Sequence, residues 1–133
     1  MDDDNINKLI MTAKVLVDKY GDGQNHTVAS SILTKSGNVI SSLNLYHFTG
    51  GPCAEVAALS KMVSEGEEPE LIVAVGDGNS RGVLSPCGRC RQIFHDYYPQ
   101  LKVVVPDGTT NKIVTIKELL PYTYSWNDQQ ESV

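Results

Sequence analysis

The sequence predicts an α/β protein with a mixed sheet of about five strands that is layered by helices. Predicted strands alternate with predicted helices along the chain, which is typical of a sheet covered by helices. Residues 71–75 form a continuous apolar run between Pro69 and Gly76, which indicates a central strand covered on both faces. Two early strands joined by Gly37-Asn38 predict a hairpin, and strand, helix and strand follow later.

The first half of the chain is predicted to hold a helix, the hairpin and a second helix. These elements are residues 5–20 (helix), 26–34 and 39–48 (strands) and 52–65 (helix). Apolar side chains recur at helical spacing in both helices. Thr49-Gly50-Gly51, before the second helix, predicts a loop that uses backbone angles closed to other residues.

The second half continues the alternation. Its elements are residues 71–75 (strand), 83–84 (a short extended piece), 85–98 (helix) and 101–105 (strand). Ser85-Pro86 places a capping residue before a proline, which favours a helix start there. Thr115 and Glu118 form a capping-box pattern that predicts a last short helix before Pro121.

Length and composition indicate an ordinary soluble protein. We expect residues 1–133 to form a single domain, with 41% hydrophobic and 20% charged residues. The net charge of −5 argues against a general nucleic-acid binder, which normally carries a basic face. No apolar run approaches the roughly 18 residues that span a bilayer. The acidic start, Asp2-Asp3-Asp4, is unlike a secretory signal, so we predict a cytoplasmic protein without nucleic-acid or membrane partners.

All three cysteines lie in two short stretches, Cys53-Ala54-Glu55 and Pro86-Cys87-Gly88-Arg89-Cys90. An odd number of cysteines does not make a fully paired disulfide framework. Cys87 and Cys90 are three residues apart at a predicted helix start, so their sulfurs can share one ion, and helix N-termini favour thiolates. Cys53 begins another predicted helix. Three thiolates brought together predict a zinc site.

The ligand count indicates a catalytic rather than a structural zinc site. Structural sites usually have four protein ligands, whereas catalytic sites keep a position for water. There is no fourth cysteine, and His26, His47 and His95 do not fall at a ligand spacing, although a fourth protein ligand remains an alternative. Glu55 then becomes the candidate general acid–base, placed to move a proton from water to a substrate nitrogen. This requires Cys53 at the very start of its helix.

Compensating charge is expected around three thiolates. Arg89 lies between two of the cysteines, and Arg81 and Arg91 flank them, so each can donate hydrogen bonds to the sulfurs. Each arginine can equally be a solvated surface charge. A redox Cys-x-x-Cys pair is the main alternative for the whole site, with Cys53 as a small buried residue and Glu55 as a solvated carboxylate. The order and spacing of the two stretches favour zinc.

The two stretches also carry a family resemblance over nearly the whole chain. The Cys-x-Glu and Pro-Cys-x-x-Cys motifs resemble those of the cytidine deaminase superfamily. More narrowly, residues 44–55 (NLYHFTGGPCAE) and 81–92 (RGVLSPCGRCRQ) are similar to the blasticidin S deaminases. Residues 118–121 with Tyr124 and Trp126 fit the same family.

The resemblance implies a three-layer α-β-α sandwich and hydrolytic deamination at C4 of a cytosine ring. Cys53, Cys87 and Cys90 would hold one zinc ion per chain, and Glu55 would carry protons to ring N3 and to the leaving amine. It also implies a homotetramer whose neighbouring subunits complete each site. By matching positions, the substrate contacts would be Thr27, Arg81 and Tyr124, with Asn44, Tyr46, Phe48 and Trp126 as further pocket candidates.

Two departures from ordinary cytidine deaminases bear on the substrate. Those enzymes carry Asn-x-Glu upstream of the first cysteine to hold the ribose hydroxyls, whereas this chain has Asn44-Leu45-Tyr46. Loss of that carboxylate favours a modified sugar, as in blasticidin S, over cytidine. Many relatives also have arginine after the glutamate, where this chain has Val56, which would leave more of the compensating charge to Arg81 and Arg89. The alternatives are a cytidine or deoxycytidine deaminase of pyrimidine salvage and a non-catalytic zinc or redox protein.

Overall fold

The computed structural model describes residues 3–78 and 82–127, and within them it contains six strands and four helices. In chain order these are α1 (Asp3–Tyr20), β1 (Val28–Thr34), β2 (Val39–Leu43), α2 (Ala54–Ser64), β3 (Pro69–Gly76), β4 (Val83–Leu84), α3 (Gly88–Tyr97), β5 (Lys102–Asp107), β6 (Thr110–Thr115) and α4 (Ile116–Leu119). None of the helices in this part of the chain is long and apolar enough to cross a membrane.

The strands form one mixed sheet in the order β2-β1-β3-β5-β6, with β4 paired to β3 beside this path. β3 and β5 run parallel, and the other neighbouring strands pair antiparallel. Successive side chains of β3 point to opposite faces: Val73 packs with Leu9 of α1, and Ile72 packs with Met62 of α2 and Phe94 of α3. Helices therefore cover both faces of the sheet, and the predicted α/β sandwich is confirmed.

The sequence prediction missed one strand. Residues 110–115 form β6, which pairs with β5 at the sheet edge across a hairpin. Only Val114 of this strand is buried, and its first three residues are exposed polar side chains. Of its side chains, only Ile113 and Val114 pack against the core clusters, so the strand shows little of the alternating hydrophobic pattern that would predict it.

Strand β2 ends at Leu43, earlier than the predicted residue 48, because the side chain of Asn44 interrupts the backbone pairing with β1. Asn44 turns its Oδ1 back to accept the backbone N–H groups of Thr27 (2.7 Å) and Val28 (3.0 Å). The chain then folds on itself, and the Leu45 N–H donates to the Pro52 carbonyl. Gly51 allows this close approach, since a Cβ there would lie 1.6 Å from the Leu45 carbonyl oxygen.

Helix α3 begins at Gly88 and not at Ser85-Pro86, so that predicted start is wrong. Cys87 is the N-cap residue, with extended backbone angles (φ −69°, ψ 169°). The Pro86 carbonyl accepts from the Arg91 side-chain Nε and takes no part in the helix. The capping box of Thr115 and Glu118 forms as predicted at the start of α4.

We expect Ser31→Ala to raise the free energy of unfolding by about 1 kcal/mol, because its buried Oγ lacks a hydrogen-bond partner among the described residues. Ser30 is the matched control: it is equally buried in the same strand, but its Oγ donates to the Val73 carbonyl (2.9 Å). Ser30→Ala should therefore destabilise the protein. Urea denaturation measures both, and equal loss of stability in the two variants would contradict this assignment.

Candidate active site

The N-termini of α2 and α3 meet on one side of the sheet and bring the three cysteines together. Cys53 is the N-cap residue of α2 with extended backbone angles (φ −62°, ψ 157°), the position that the predicted role of Glu55 requires. Cys87 caps α3, and Cys90 lies in its first turn. Neither cap cysteine closes a capping hydrogen bond with its side chain, although backbone N–H groups of α3 approach the Cys87 sulfur, so both thiols are available to a ligand.

The three sulfurs of Cys53, Cys87 and Cys90 lie within 4.8 Å of one another, and those of Cys53 and Cys87 are 4.0 Å apart. Sulfurs bound tetrahedrally to zinc at about 2.3 Å are themselves about 3.8 Å apart. The donor set and its spacing therefore fit a zinc ion. Within residues 3–78 and 82–127 this is the one such cluster.

The three histidines have partners elsewhere. His26 Nδ1 lies 2.8 Å from the Asn44 carbonyl oxygen, and His95 Nε2 lies 2.8 Å from Ser125 Oγ. His47 Nδ1 contacts Thr49 in the loop before α2. None of them joins the cysteine cluster, in agreement with a site of three protein ligands.

The thiols differ in how readily they ionise. Burial raises the pKa of Cys90, and the nearby charges of Glu55 and the other two cysteines raise it further. Burial also raises the pKa of Cys53. Burial opposes ionisation of Cys87 as well, but backbone N–H groups of Cys90 and Arg89 and the two neighbouring thiols outweigh it and lower its pKa. Three thiolates at this spacing therefore need a cation to coexist.

Glu55 lies on the first turn of α2 with only 7% of its surface exposed. Burial raises the pKa of its carboxyl group, because the charged form loses its water. The carboxyl group belongs to a cavity of about 190 Å³ that also reaches two of the cysteines. The cavity is lined by Val28, Asn44, Cys53, Ala54, Glu55, Ala74, Leu84, Ser85 and Cys87.

Among the predicted substrate contacts, Asn44 lines this cavity. Thr27 lies beside it and is hydrogen-bonded to Asn44 through its backbone. Ser85 also lines the cavity, and the sequence analysis missed it because Ser85-Pro86 resembled a helix cap. A serine directly before a Pro-Cys-x-x-Cys motif is the signal that could have found it.

The predicted aromatic contacts lie elsewhere on this chain. Tyr46 and Phe48 stand on an exposed loop, with 64% and 86% of their surfaces accessible. The backbones of Tyr124 and Trp126 are bound to side chains of α3. Trp126 lines a second cavity, of about 550 Å³, between α2 and α3. Neither of these two aromatic residues is among those lining the cavity of Glu55 in the described part of the chain.

Neither of the two described arginines, Arg89 and Arg91, is seen to donate a side-chain hydrogen bond to a cysteine sulfur. Arg89 is exposed, and its backbone N–H is the group that reaches Cys87. The Arg91 side chain donates to two backbone carbonyls, those of Pro86 and Leu119. Arg81 lies outside the described residues.

Comparison with known proteins identifies the family. Residues 4–105 match the family model "Cytidine and deoxycytidylate deaminase zinc-binding region". Among similar relatives, the blasticidin-S deaminase of Bacillus cereus is 36% identical over 117 residues, covering 81% of this chain and 83% of that protein. The cytidine deaminase of Halalkalibacterium halodurans is 33% identical over 108 residues, covering 78% of this chain and 81% of that protein.

Solved structures agree with the sequence relatives. The cytidine deaminase of Burkholderia pseudomallei superposes with a TM-score of 0.74 at 28% identity, covering 93% of this chain and all of that one (100%). The cytidine deaminase of Mycobacterium leprae gives a TM-score of 0.70 at 26% identity, covering 88% of this chain and 98% of that one. The chain therefore belongs to the cytidine and deoxycytidylate deaminase family and is a zinc-dependent hydrolytic deaminase.

Proposed function

We propose that the protein deaminates a cytosine nucleoside at C4, with blasticidin S as its preferred substrate. Cys53, Cys87 and Cys90 hold the zinc ion, and Glu55 is the catalytic acid–base. The observation that carries the proposal is that the buried residue Glu55 lines one cavity, of about 190 Å³, together with Cys53 and Cys87, two of the three clustered cysteines.

Zinc supplies the Lewis acidity that makes a water molecule nucleophilic near neutral pH. The water oxygen bonds to C4 while Glu55 takes one proton of the water and delivers it to ring N3. Glu55 then carries the second proton, from the new C4 hydroxyl, to the exocyclic amine. Water is consumed, the C4–N bond breaks, and ammonia and a uracil ring are formed. Burial of Glu55 suits this work, because a raised pKa keeps its protonated form accessible nearer neutral pH.

The sugar-binding side of the cavity supports a modified sugar. Asn44 Oδ1 is already occupied by the N–H groups of Thr27 and Val28, so the side chain offers a ligand only its NH2 donors. Tyr46 replaces the expected carboxylate and lies on the exposed loop. A ribose hydroxyl can accept from the Asn44 NH2 group, but the Asn44 side chain has no free oxygen to accept the proton of that hydroxyl. A sugar group that only accepts hydrogen bonds fits better.

We also propose a homotetramer in which neighbouring subunits complete each site. Tyr46, Tyr124 and Trp126 remain proposed substrate contacts, and all three are exposed on their own chain, away from its cavity. Contact with a neighbouring subunit's site would use these aromatic surfaces and remove them from water. Arg81 is proposed as a substrate contact that also offsets the negative charge of the thiolates. Arg89 is proposed to help stabilise the same thiolates. With blasticidin S as substrate, we propose a cytoplasmic role in antibiotic resistance.

We expect kcat/KM for blasticidin S to exceed that for cytidine, measured by the loss of cytosine absorbance with zinc-loaded enzyme. A large preference for cytidine or deoxycytidine would overturn blasticidin S as the preferred substrate and support a role in pyrimidine salvage instead; the relative from H. halodurans is named a cytidine deaminase. Deamination of neither class by zinc-loaded protein would overturn the proposed function itself.

The Asn44→Asp variant tests the sugar argument directly. One carboxylate oxygen can keep the bonds to Thr27 and Val28, while the other presents an acceptor in place of the NH2 donors. Thr27 Oγ1, 3.4 Å from Asn44 Nδ2, can donate to the new oxygen. The ratio of kcat/KM for cytidine to that for blasticidin S should rise about tenfold, since hydrogen bonds to charged groups contribute about 1.5–3 kcal/mol. An unchanged ratio would contradict the argument.

A further inference from the structure

The three cysteines are held in place by different means. Cys90 is fully buried and belongs to the core cluster beneath α2 and α3. Cys53 is half-buried and packs against the same cluster. Cys87 is exposed, so packing does little to fix its side chain. Something other than the core must determine where the Cys87 sulfur lies.

Arg91 binds the two peptide groups that flank the α-carbon of Cys87. The Arg91 backbone N–H donates to the Cys87 carbonyl (3.0 Å), as the first turn of α3 requires. Its side-chain Nε donates to the preceding carbonyl, that of Pro86 (2.8 Å). Two consecutive carbonyls are thus bound by one residue, which fixes the extended backbone angles of Cys87.

The same guanidinium group reaches a third carbonyl in another element. Arg91 Nη1 donates to the carbonyl of Leu119 (2.9 Å), the last residue of α4. The last carbonyls of a helix lack partners within it, so this bond also satisfies the end of α4. Because the guanidinium group is planar and rigid, the bonds to Pro86 and Leu119 hold the cysteine loop against α4.

We propose that Arg91 is a positioning residue for the Cys87 sulfur and thereby controls how tightly the protein holds zinc. It acts through the Pro86 carbonyl and touches neither the sulfurs nor the substrate cavity. The inference rests on the proposed ligand set of Cys53, Cys87 and Cys90. Lysine cannot replace arginine here, because a single ammonium group on a flexible stem does not reproduce the rigid fork.

Arg91→Lys and Arg91→Gln test the proposal. Both variants should bind zinc about 10- to 100-fold more weakly, the usual cost of losing a residue that orients a metal ligand. Zinc affinity is measured by competition with a chromogenic chelator. Cobalt-substituted protein gives a second readout, because its thiolate charge-transfer and d–d bands should change in shape when Cys87 is displaced.

Gln92→Ala is the matched control. Gln92 is the next residue of α3, and its side chain binds the Tyr124 carbonyl (2.7 Å) and the Thr123 hydroxyl (3.1 Å). It therefore ties the C-terminal segment to the same helix without touching the Pro86–Cys87 peptide. This variant should lower the melting temperature while leaving zinc affinity and the cobalt spectrum unchanged.

The outcomes separate positioning from simple stabilisation. If both Arg91 variants lower the melting temperature but bind zinc as tightly as the wild type, the proposal is overturned. If Arg91→Gln fails to fold, the milder Arg91→Lys decides, and wild-type zinc affinity in that variant again overturns it. Failure of the wild type to bind zinc would overturn the proposed ligand set, and this inference with it.

Discussion

Glu55→Gln should lower kcat by about 10²- to 10⁴-fold while the protein still binds one zinc ion per chain. Glutamine has nearly the same shape as glutamate but cannot carry a proton between water and the substrate. The cysteine sulfurs keep their spacing, because Glu55 is not part of the cluster. Zinc content is measured on the purified variant, and kcat at saturating substrate.

Glu65→Gln is the control for this change. Glu65 is the exposed residue that follows the last turn of the same helix, far from the cysteines in sequence, and its replacement should leave kcat unaltered. Loss of zinc from the Glu55 variant would show that the carboxyl group is a ligand. Retention of both zinc and full turnover would remove Glu55 from the mechanism.

Cys87→Ala should abolish zinc binding and turnover with little change in the stability of the zinc-free protein. The side chain is exposed and contributes little to the core, so its loss removes a ligand and almost nothing else. Cys90→Ala should also lose zinc, but it leaves a gap in the core cluster. Relative to the zinc-free wild type, we expect it to lose about 1–3 kcal/mol of unfolding free energy.

Removal of zinc from the wild type tests the redox alternative. Under that reading, the zinc-free wild type would form a Cys87–Cys90 disulfide readily and the metal would be incidental. Thiol titration before and after zinc removal distinguishes the two. One zinc per chain with all three thiols protected supports the hydrolytic site, whereas a disulfide formed without metal uptake would refute it.

Local signals in the sequence predicted most of the elements that build the site. Cys53 is predicted at the very start of its helix, because Glu55 can then reach a water on the same ion. The structure has Cys53 at the N-cap of α2. The capping box at Thr115 and the apolar run of β3 were also confirmed, since each depends on neighbouring residues alone. The start of α3 was predicted two to three residues early. That boundary depends on Arg91 binding the Pro86 carbonyl, a side-chain contact that propensities do not describe.

The substrate side of the site was less accessible to prediction. The family resemblance predicts Asn44 as a substrate contact, and Asn44 does line the cavity. Which end of its amide is free to bind a ligand is shown only by its contacts with Thr27 and Val28. For Tyr124 and Trp126 the sequence gives residue type without position. Their backbones are bound to the side chains of Gln92 and Asp96 in α3, an arrangement that arises from tertiary contacts.

The two faces of the sheet differ in the freedom they leave to evolution. The face beneath α2 and α3 includes Cys90 and packs against Cys53, so a mutation in that core alters metal retention as well as folding. The core clusters beneath α1, which include Leu9 and Val17, contain none of the three cysteines. Substitutions beneath α1 should therefore change the stability of the fold without changing zinc binding. Sequence divergence that spares the chemistry should concentrate under the first helix.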